Sequence, residues 1–309
     1  MKTKDRFVDI DNALKDLQDS IKKIEGVDTE EIANKVDMFR QDIYEGLSRW
    51  GSVELARHAQ RPGFDDYVEE IFDSFMELHG DRIYEDDAAI RGGLAFLDGE
   101  PVVIIGHKKR SVNKKDYVNY NYGMASPSGH YKTIRLLRLA EKFSRPVVTF
   151  VDTPGANPVP DAEYKGQAFS IARCISTIAG IRSPVVSCII GEAGSGGALA
   201  LGFGDRIIML ENAFYSAITP EGYSSIVYGD DTRKERAADS LKGTGKDLYK
   251  VNIVDCLIKE PVGGAHNDKS QVIERTGTAI RKYIKELMSI DMDELMRQRA
   301  VSIDSLLPK

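Results

Sequence analysis

The sequence predicts an α/β chain, with a helical hairpin over residues 1–60 ahead of a layered α/β domain over residues 61–309. Three observations carry this. Apolar residues near the start recur at helical spacing. Beyond them, short β-branched runs alternate with amphipathic stretches. A glycine-dense segment sits where one of those runs gives way to a helix.

The hairpin comes first. Ile10, Leu14, Leu17, Ile21 and Ile24 are spaced 4, 3, 4 and 3, which lines one helix face. Gly26-Val27-Asp28 breaks the pattern, and Asp28 with Glu31 can cap a second helix. Ile32, Val36, Phe39, Ile43 and Leu47 then repeat the spacing. Two antiparallel helices fit, packed on their own domain or offering a docking surface to another subunit. After Arg61-Pro62-Gly63, residues 65–78 read as a helix. The runs at 101–106 (P-V-V-I-I-G), 146–151 (P-V-V-T-F-V) and 184–190 (P-V-V-S-C-I-I) read as buried strands. Helices fall between them, around Ile134 and Leu137 and over residues 168–181. Residues 206–210 and 214–218 are further strands, and Gly92-Gly93 precedes a strand as a turn or bulge. Ile273, Thr276, Ile280, Ile284 and Leu287 mark a closing amphipathic helix.

Composition narrows the function. The chain has 309 residues, 42% hydrophobic and 29% charged, as in an ordinary globular protein. A net charge of −6 argues against gripping nucleic acid or an anionic membrane. Cys174, Cys188 and Cys256 have no C-x-x-C spacing, so neither a disulfide scaffold nor a cysteine zinc site is expected, and a reducing cytoplasm is the natural compartment. No apolar stretch follows Met1 as a secretory leader would, and no run is long enough for a membrane span. The five histidines show no ligand spacing, so no metal is expected.

The glycine-dense segment is Gly191-Glu192-Ala193-Gly194-Ser195-Gly196-Gly197-Ala198. A phosphate loop needs Lys after its last glycine, and Gly197 stands there instead. A dinucleotide fingerprint needs glycine or alanine at 199, which is Leu. A nucleophile elbow at Ser195 would need His266, the histidine that follows it in the chain, as base. What remains is a helix N-terminus with unhindered N–H groups. That suits an oxyanion hole, and close helix–strand packing would select the same glycines. Asp152-Thr153-Pro154-Gly155-Ala156 is a turn at a strand's carboxyl end, where α/β proteins place ligand loops. Thr219-Pro220-Glu221-Gly222 is a helix start that capping alone could explain. His107-Lys108-Lys109-Arg110 with Lys114-Lys115 is a basic cluster, followed by Tyr117, Tyr120 and Tyr122. Such a cluster can bind single-stranded nucleic acid, attract phosphates of a nucleotide-bearing cofactor or an acidic partner, or form a solvated loop.

These residues together resemble the α subunits of the bacterial multi-subunit acetyl-CoA carboxylase carboxyltransferase. The resemblance rests on residues 55–62 (L-A-R-H-A-Q-R-P), 75–82 (F-M-E-L-H-G-D-R), 87–93 (D-A-A-I-R-G-G), 150–156 (F-V-D-T-P-G-A), 190–199 (I-G-E-A-G-S-G-G-A-L), 215–222 (Y-S-A-I-T-P-E-G) and 260–266 (E-P-V-G-G-A-H). It implies a crotonase-like superhelix of β-β-α units. It implies an α2β2 heterotetramer with a carboxyltransferase β subunit, which carries a zinc ribbon, and work alongside biotin carboxyl carrier protein and biotin carboxylase in an overall ATP-dependent complex. The implied reaction moves a carboxyl group from carboxybiotin to acetyl-CoA, giving malonyl-CoA for fatty acid biosynthesis. Gly196 and Gly197 would then be the oxyanion donors, with Gly155, Ala156, Gly194, Ser195, Thr219, Pro220, Glu221 and Gly222 around the carboxybiotin. Lys108, Lys109 and Arg110 would meet CoA or the carrier. Biotin's ureido nitrogen can itself take the proton, so no side-chain base is required.

The sequence departs from the family pattern at Ala193, where glycine is usual, and at Asn157 and Val159, where a tyrosine and a glycine are usual. It departs again at Tyr223, after the T-P-E-G segment. A working paralogue retains the glycine pair and turns over. A non-catalytic or altered-specificity regulatory subunit would bind a β partner without efficient transfer, and a hydrolase would use Ser195.

Overall fold

The computed structural model describes residues 6–21, 23, 30–110 and 117–305. Ile24, the Gly26-Val27-Asp28 break, and Lys114-Lys115 lie outside them.

Helices α1 (Arg6–Ile21) and α2 (Glu30–Glu45) pack on one another, as their spacing requires. Ile21 and Val36 are buried between them, whereas Leu17, Ile32 and Phe39 stay exposed. α3 (Arg49–Ala56) starts at Ser48, whose hydroxyl accepts from the Gly51 N–H at 3.0 Å. It packs against the body of the chain.

The helix expected over residues 65–78 is two elements. α4 (Phe64–Ile71) ends at Phe72, which is extended and buried edge-on against Phe150. The chain then runs as β1 (Asp73–Glu77), antiparallel to β2 (Ile90–Leu97). Pairing to the sheet edge overrides the helical pattern here. The Gly92-Gly93 expectation is corrected too: both lie inside β2, and the register irregularity sits in β1 between Asp73 and Met76. A Cβ on Gly93 would lie 2.0 Å from the Met76 carbonyl oxygen, so the edge strand's approach demands glycine.

β2 pairs antiparallel with β3 (Glu100–His107). From there the sheet is parallel through β4 (Val147–Thr153), β5 (Val185–Gly194) and β6 (Arg206–Leu210). β7 (Phe214–Ser216) pairs with the far end of β5, and β8 (Cys256–Ile258) closes the sheet beside β6. Every residue of β4 and β5 is buried, which explains their unbroken apolar reading. α5 (Pro127–Lys142) and α7 (Gln167–Gly180) pack together, preceded in α7's case by the short α6 (Pro160–Tyr164). α8 (Ser195–Leu199) follows β5 directly. α9 (Pro220–Tyr228), α10 (Lys234–Leu241) and α11 (Gly245–Lys250) lead to β8. α12 (Lys269–Met288) covers β5, β6 and β8, and α13 (Met292–Ser305) ends the described chain.

One ion pair ties distant segments. Arg61 and Glu260 have fully buried side chains, joined at 2.8 and 2.5 Å. Arg61 Nε also donates to the Ile190 carbonyl at 2.6 Å, and Glu260 accepts the Asn212 and Ala265 N–H groups. Each polar atom is matched, so burial is tolerated. Replacing Glu260 with Ala strands a buried guanidinium and should cost about 3–5 kcal/mol. Urea denaturation of the two proteins checks it.

Candidate functional site

β4 and β5 run side by side until Val151, where their register shifts before Thr153 meets Ala193. Asp152 falls in that gap, and its Oδ1 accepts the Glu192 N–H at 3.1 Å. A side-chain carboxylate thus replaces a ladder bond at the point where the two strands diverge into loops. Gly191 leaves room for it, since a Cβ there would lie 2.5 Å from that carboxylate.

The loops then touch backbone to backbone. Thr153 Oγ1 accepts the Gly155 N–H at 3.1 Å and donates to the Gly155 carbonyl at 2.7 Å. Gly155 has φ 154°, which favours glycine. A Cβ on Gly194 would lie 2.0 Å from the Pro154 carbonyl oxygen. One on Gly197 would lie 2.6–2.8 Å from Gly155 C and O and Ala156 N. Gly196 is less constrained, because a Cβ would only reach the Ile171 side chain at 3.4 Å. Ser195 opens α8 at φ 52°, and the N–H groups of this first turn have no partner within the helix. Ser195 is exposed, Gly155, Ala156 and Gly196 are half-buried, and Gly197 is buried. Beside them lies a groove of about 280 Å³, lined by Ser195, Gly196, Leu199, Tyr215, Ala217 and Ile253.

Thr219 caps α9, accepting the Gly222 N–H at 3.1 Å, with Pro220 next. Glu221 reaches Arg57 at 2.6 Å, and Arg57 also holds Glu192 at 2.7 Å. Glu192 pairs with Lys109 at 3.0 Å, and Lys109 with Asp152 at 3.3 Å. Arg110 Nε donates to Asp152 at 2.7 Å, and Arg110 also donates to the carbonyls of Ala56 and His58. Lys108 pairs with Asp65. The run Lys108-Lys109-Arg110, expected to meet CoA or the carrier, is paired with carboxylates of the chain, and Lys108 and Arg110, though largely buried, line a cleft with Asp65, Tyr117 and Lys269. Burial alone would raise the Asp152 carboxyl, but Arg110 and Lys109 hold it down to about 2. Glu192 is likewise held below the carboxylate range, burial being outweighed by Lys109 and Arg57.

His266 stacks on His58 with ring centroids 3.6 Å apart. It lines a cleft with Ala59, Arg61 and Lys269, separate from the groove that Ser195 lines. Among the described residues no group of three or more His, Cys, Asp or Glu is placed to hold a metal ion. Nor is any described helix long and apolar enough to cross a membrane.

Comparison with known proteins gives the family. Residues 3–306 match the model of the acetyl co-enzyme A carboxylase carboxyltransferase-like family. The chain belongs to this family. It is 46% identical over 268 residues to the acetyl-coenzyme A carboxylase carboxyl transferase subunit alpha of Geobacter metallireducens, covering 87% of this chain and 84% of that one. It is 44% identical over 295 residues to the Bacillus cereus protein of the same name, covering 94% and 91%. Among solved structures, a Pseudomonas malonate decarboxylase hetero-tetramer superposes with TM-score 0.58 at 17% identity, over 69% of this chain and 85% of that one. Transcarboxylase 12S superposes with TM-score 0.57 at 17% identity, over 71% and 41%. The crotonase-like fold expected from the resemblance is the fold these structures share with the carboxyltransferase chain.

Sequence reasoning missed two features of this carboxyltransferase chain. The first is the pairing of Arg57 with Glu192 and Glu221, continued through Lys109 to Asp152, because its members are far apart in sequence. The second is a pair of buried histidines. His107 ends β3, and His130 on α5 shares a 2.9 Å hydrogen bond between Nδ1 and Ser170 Oγ. Burial pushes them down to about 4 and about 3. Both pKa values are lowered on folding, so their contribution is complete above about pH 6.5 and is lost as pH falls toward the folded values. Stability should therefore decline from about pH 6.5 to 4, before most carboxylates titrate. His130→Gln should reduce proton uptake on unfolding in that window by about one. Denaturation midpoints measured across the window check this.

Proposed function

We propose that the chain is the α half of a biotin-dependent carboxyltransferase that works with a β partner. It moves the carboxyl group of carboxybiotin, borne on a separate carrier protein, to the methyl carbon of acetyl-CoA, giving malonyl-CoA. The observation that carries this is the glycine junction: Gly197 is pressed against Gly155 and Ala156 with no room for a side chain. In this reading the first turn of α8, backed by the β4 loop, offers its N–H groups beside the groove that Ser195 and Gly196 line. The N–C bond of carboxybiotin breaks and leaves negative charge on the ureido oxygen. Donors fixed beforehand at Gly196 and Gly197 stabilise that charge without reorganising, with Gly155 and Ala156 around the carboxybiotin. The ureido nitrogen takes a proton from the acetyl methyl, and the resulting enolate carbon bonds to the released carboxyl carbon.

In this reading Gly194 and Ser195 shape the turn, and the α9 start at Thr219, Pro220, Glu221 and Gly222 borders the site. The β subunit supplies the matching site for the thioester enolate and, by the family pattern, the zinc. Biotin carboxylase recharges the carrier, and the complex works in the cytoplasm. The departures fit a working enzyme better than a regulatory one. Ala193 is buried in β5 and keeps its pairing to Thr153 and Tyr215. The Asn157 N–H donates to the Ala125 carbonyl at 3.1 Å, and Tyr223 packs edge-on against Tyr228.

The two glycines separate in a test. Carboxyl transfer by the chain reconstituted with its β partner should fall about 10²-fold for Gly197→Ala, on the scale of losing one oxyanion donor. Gly196→Ala should keep most of the turnover, because Ile171 can yield. Full activity in Gly197→Ala sinks the assignment. Ser195→Ala should stay active, and fluorophosphonate labelling of the parent that Ser195→Ala abolishes would revive the hydrolase reading.

A further inference from the structure

Arg57 sits where three segments of the site meet. Its guanidinium forks: Nε and Nη2 reach Glu192 Oε1 at 2.8 and 2.7 Å, while Nη1 and Nη2 reach Glu221 at 2.6 and 3.3 Å. Glu192 stands two residues before Gly194 on β5, and Glu221 is in the first turn of α9. On its other side Glu192 meets Lys109, which meets Asp152 at the end of β4, one residue before the Thr153 turn. Arg110 joins Asp152 to the carbonyl end of α3. Three cations and three carboxylates alternate through this chain of contacts. Asp152, Glu192 and Arg110 are nearly inaccessible, while Arg57 and Glu221 lie at the half-exposed end, at 29% and 33%.

The placement matters because the glycine junction has no side chains of its own to hold it. Its two loops are fixed by backbone contact and by whatever grips the strand ends behind them. The charge chain does that gripping, and Arg57 links it to the third segment, α9. A planar fork spans two carboxylates in fixed geometry, whereas a lysine ammonium is a point charge that cannot hold both.

We propose that Arg57 is a positioning residue of the carboxyl-transfer site, setting β5, and hence the Gly194–Gly197 turn, relative to α9 through Glu192 and Glu221. This rests on the carboxyltransferase reading above. In this role Arg57 acts through the two carboxylates that its guanidinium holds. Misplacing the donors by a fraction of an ångström raises the barrier without changing how the thioester substrate binds.

The test uses the chain assembled with its β partner and runs the reverse reaction, from malonyl-CoA to free biocytin. Arg57→Lys keeps the charge and loses the fork. The expected result is a kcat lower by about 10²-fold, an unchanged KM for malonyl-CoA, intact assembly, and a melting temperature within about 3 °C of the parent. Glu221→Gln, at the exposed end of the fork, should lower kcat in the same direction with no loss of folding. Parental kcat in both variants overturns the proposal. So does a fall in activity that merely tracks a smaller folded fraction, since that marks a structural role. Gly197→Ala is run alongside: if it is fully active, the carboxyltransferase reading itself fails, whereas a crippled Gly197→Ala beside an active Arg57→Lys removes only the role given to Arg57.

Discussion

The site depends on one contact, the meeting of two backbones without side chains between them. Gly197 at the start of α8 lies against Gly155 and Ala156 beyond β4, and Gly194 lies against Pro154. Such an approach is available only to glycine, and it gives each loop the other as a wall. Hydrogen-bond donors held this way cannot swing toward water. That fixed orientation is what makes a backbone amide an effective partner for a developing oxyanion.

That contact requires the strand ends to be held from behind, and the chain uses charge to do so. Asp152 closes the gap where β4 and β5 part, in place of a backbone ladder bond. A carboxylate so deeply buried is stable as an anion only because Arg110 and Lys109 stand beside it. The same logic governs Arg61 and Glu260 at the carboxyl ends of β5, β6 and β8. In each case the buried pair joins segments remote in sequence, and each spare donor or acceptor finds a backbone partner. An apolar core would pack the sheet equally well, but it would not fix where the strands stop.

What the sequence revealed follows from this division. The buried strands at 147–153 and 185–194 were legible because both faces are covered and their apolar runs are unbroken. The tight glycine turn between β5 and α8 was legible, since Gly194, Gly196 and Gly197 adjoin one another in the chain. β1 and β2 were not, because Asp73–Glu77 follows a helical pattern and Gly92-Gly93 reads as a turn until a neighbouring strand approaches it. The charge chain was illegible for a different reason. Lys108, Lys109 and Arg110 form a run that reads as a solvated or ligand-facing patch. Their carboxylate partners, Asp65, Asp152 and Glu192, lie about 40 to 80 residues away; Asp65 is brought near by the antiparallel β1–β2–β3 segment, Asp152 and Glu192 by the parallel crossovers.

The proposed backbone-amide chemistry would also account for the departures from the family pattern that the chain bears. A side-chain change leaves an N–H in place unless the position must lack a Cβ. Asn157, Val159 and Tyr223 are not such positions: Val159 is largely exposed, and Tyr223 packs on another ring. Ala193, buried in β5, keeps its pairing to Thr153 and Tyr215. The positions with no latitude are Gly191, Gly194 and Gly197, where a Cβ meets a carboxylate or a backbone atom at under 3 Å, and all three are glycine here. The loops can therefore vary toward a different partner or acyl group while the N–H geometry at their base is kept. Divergence at 157, 159 and 223 is better read as change in what approaches the site than as decay of the site itself.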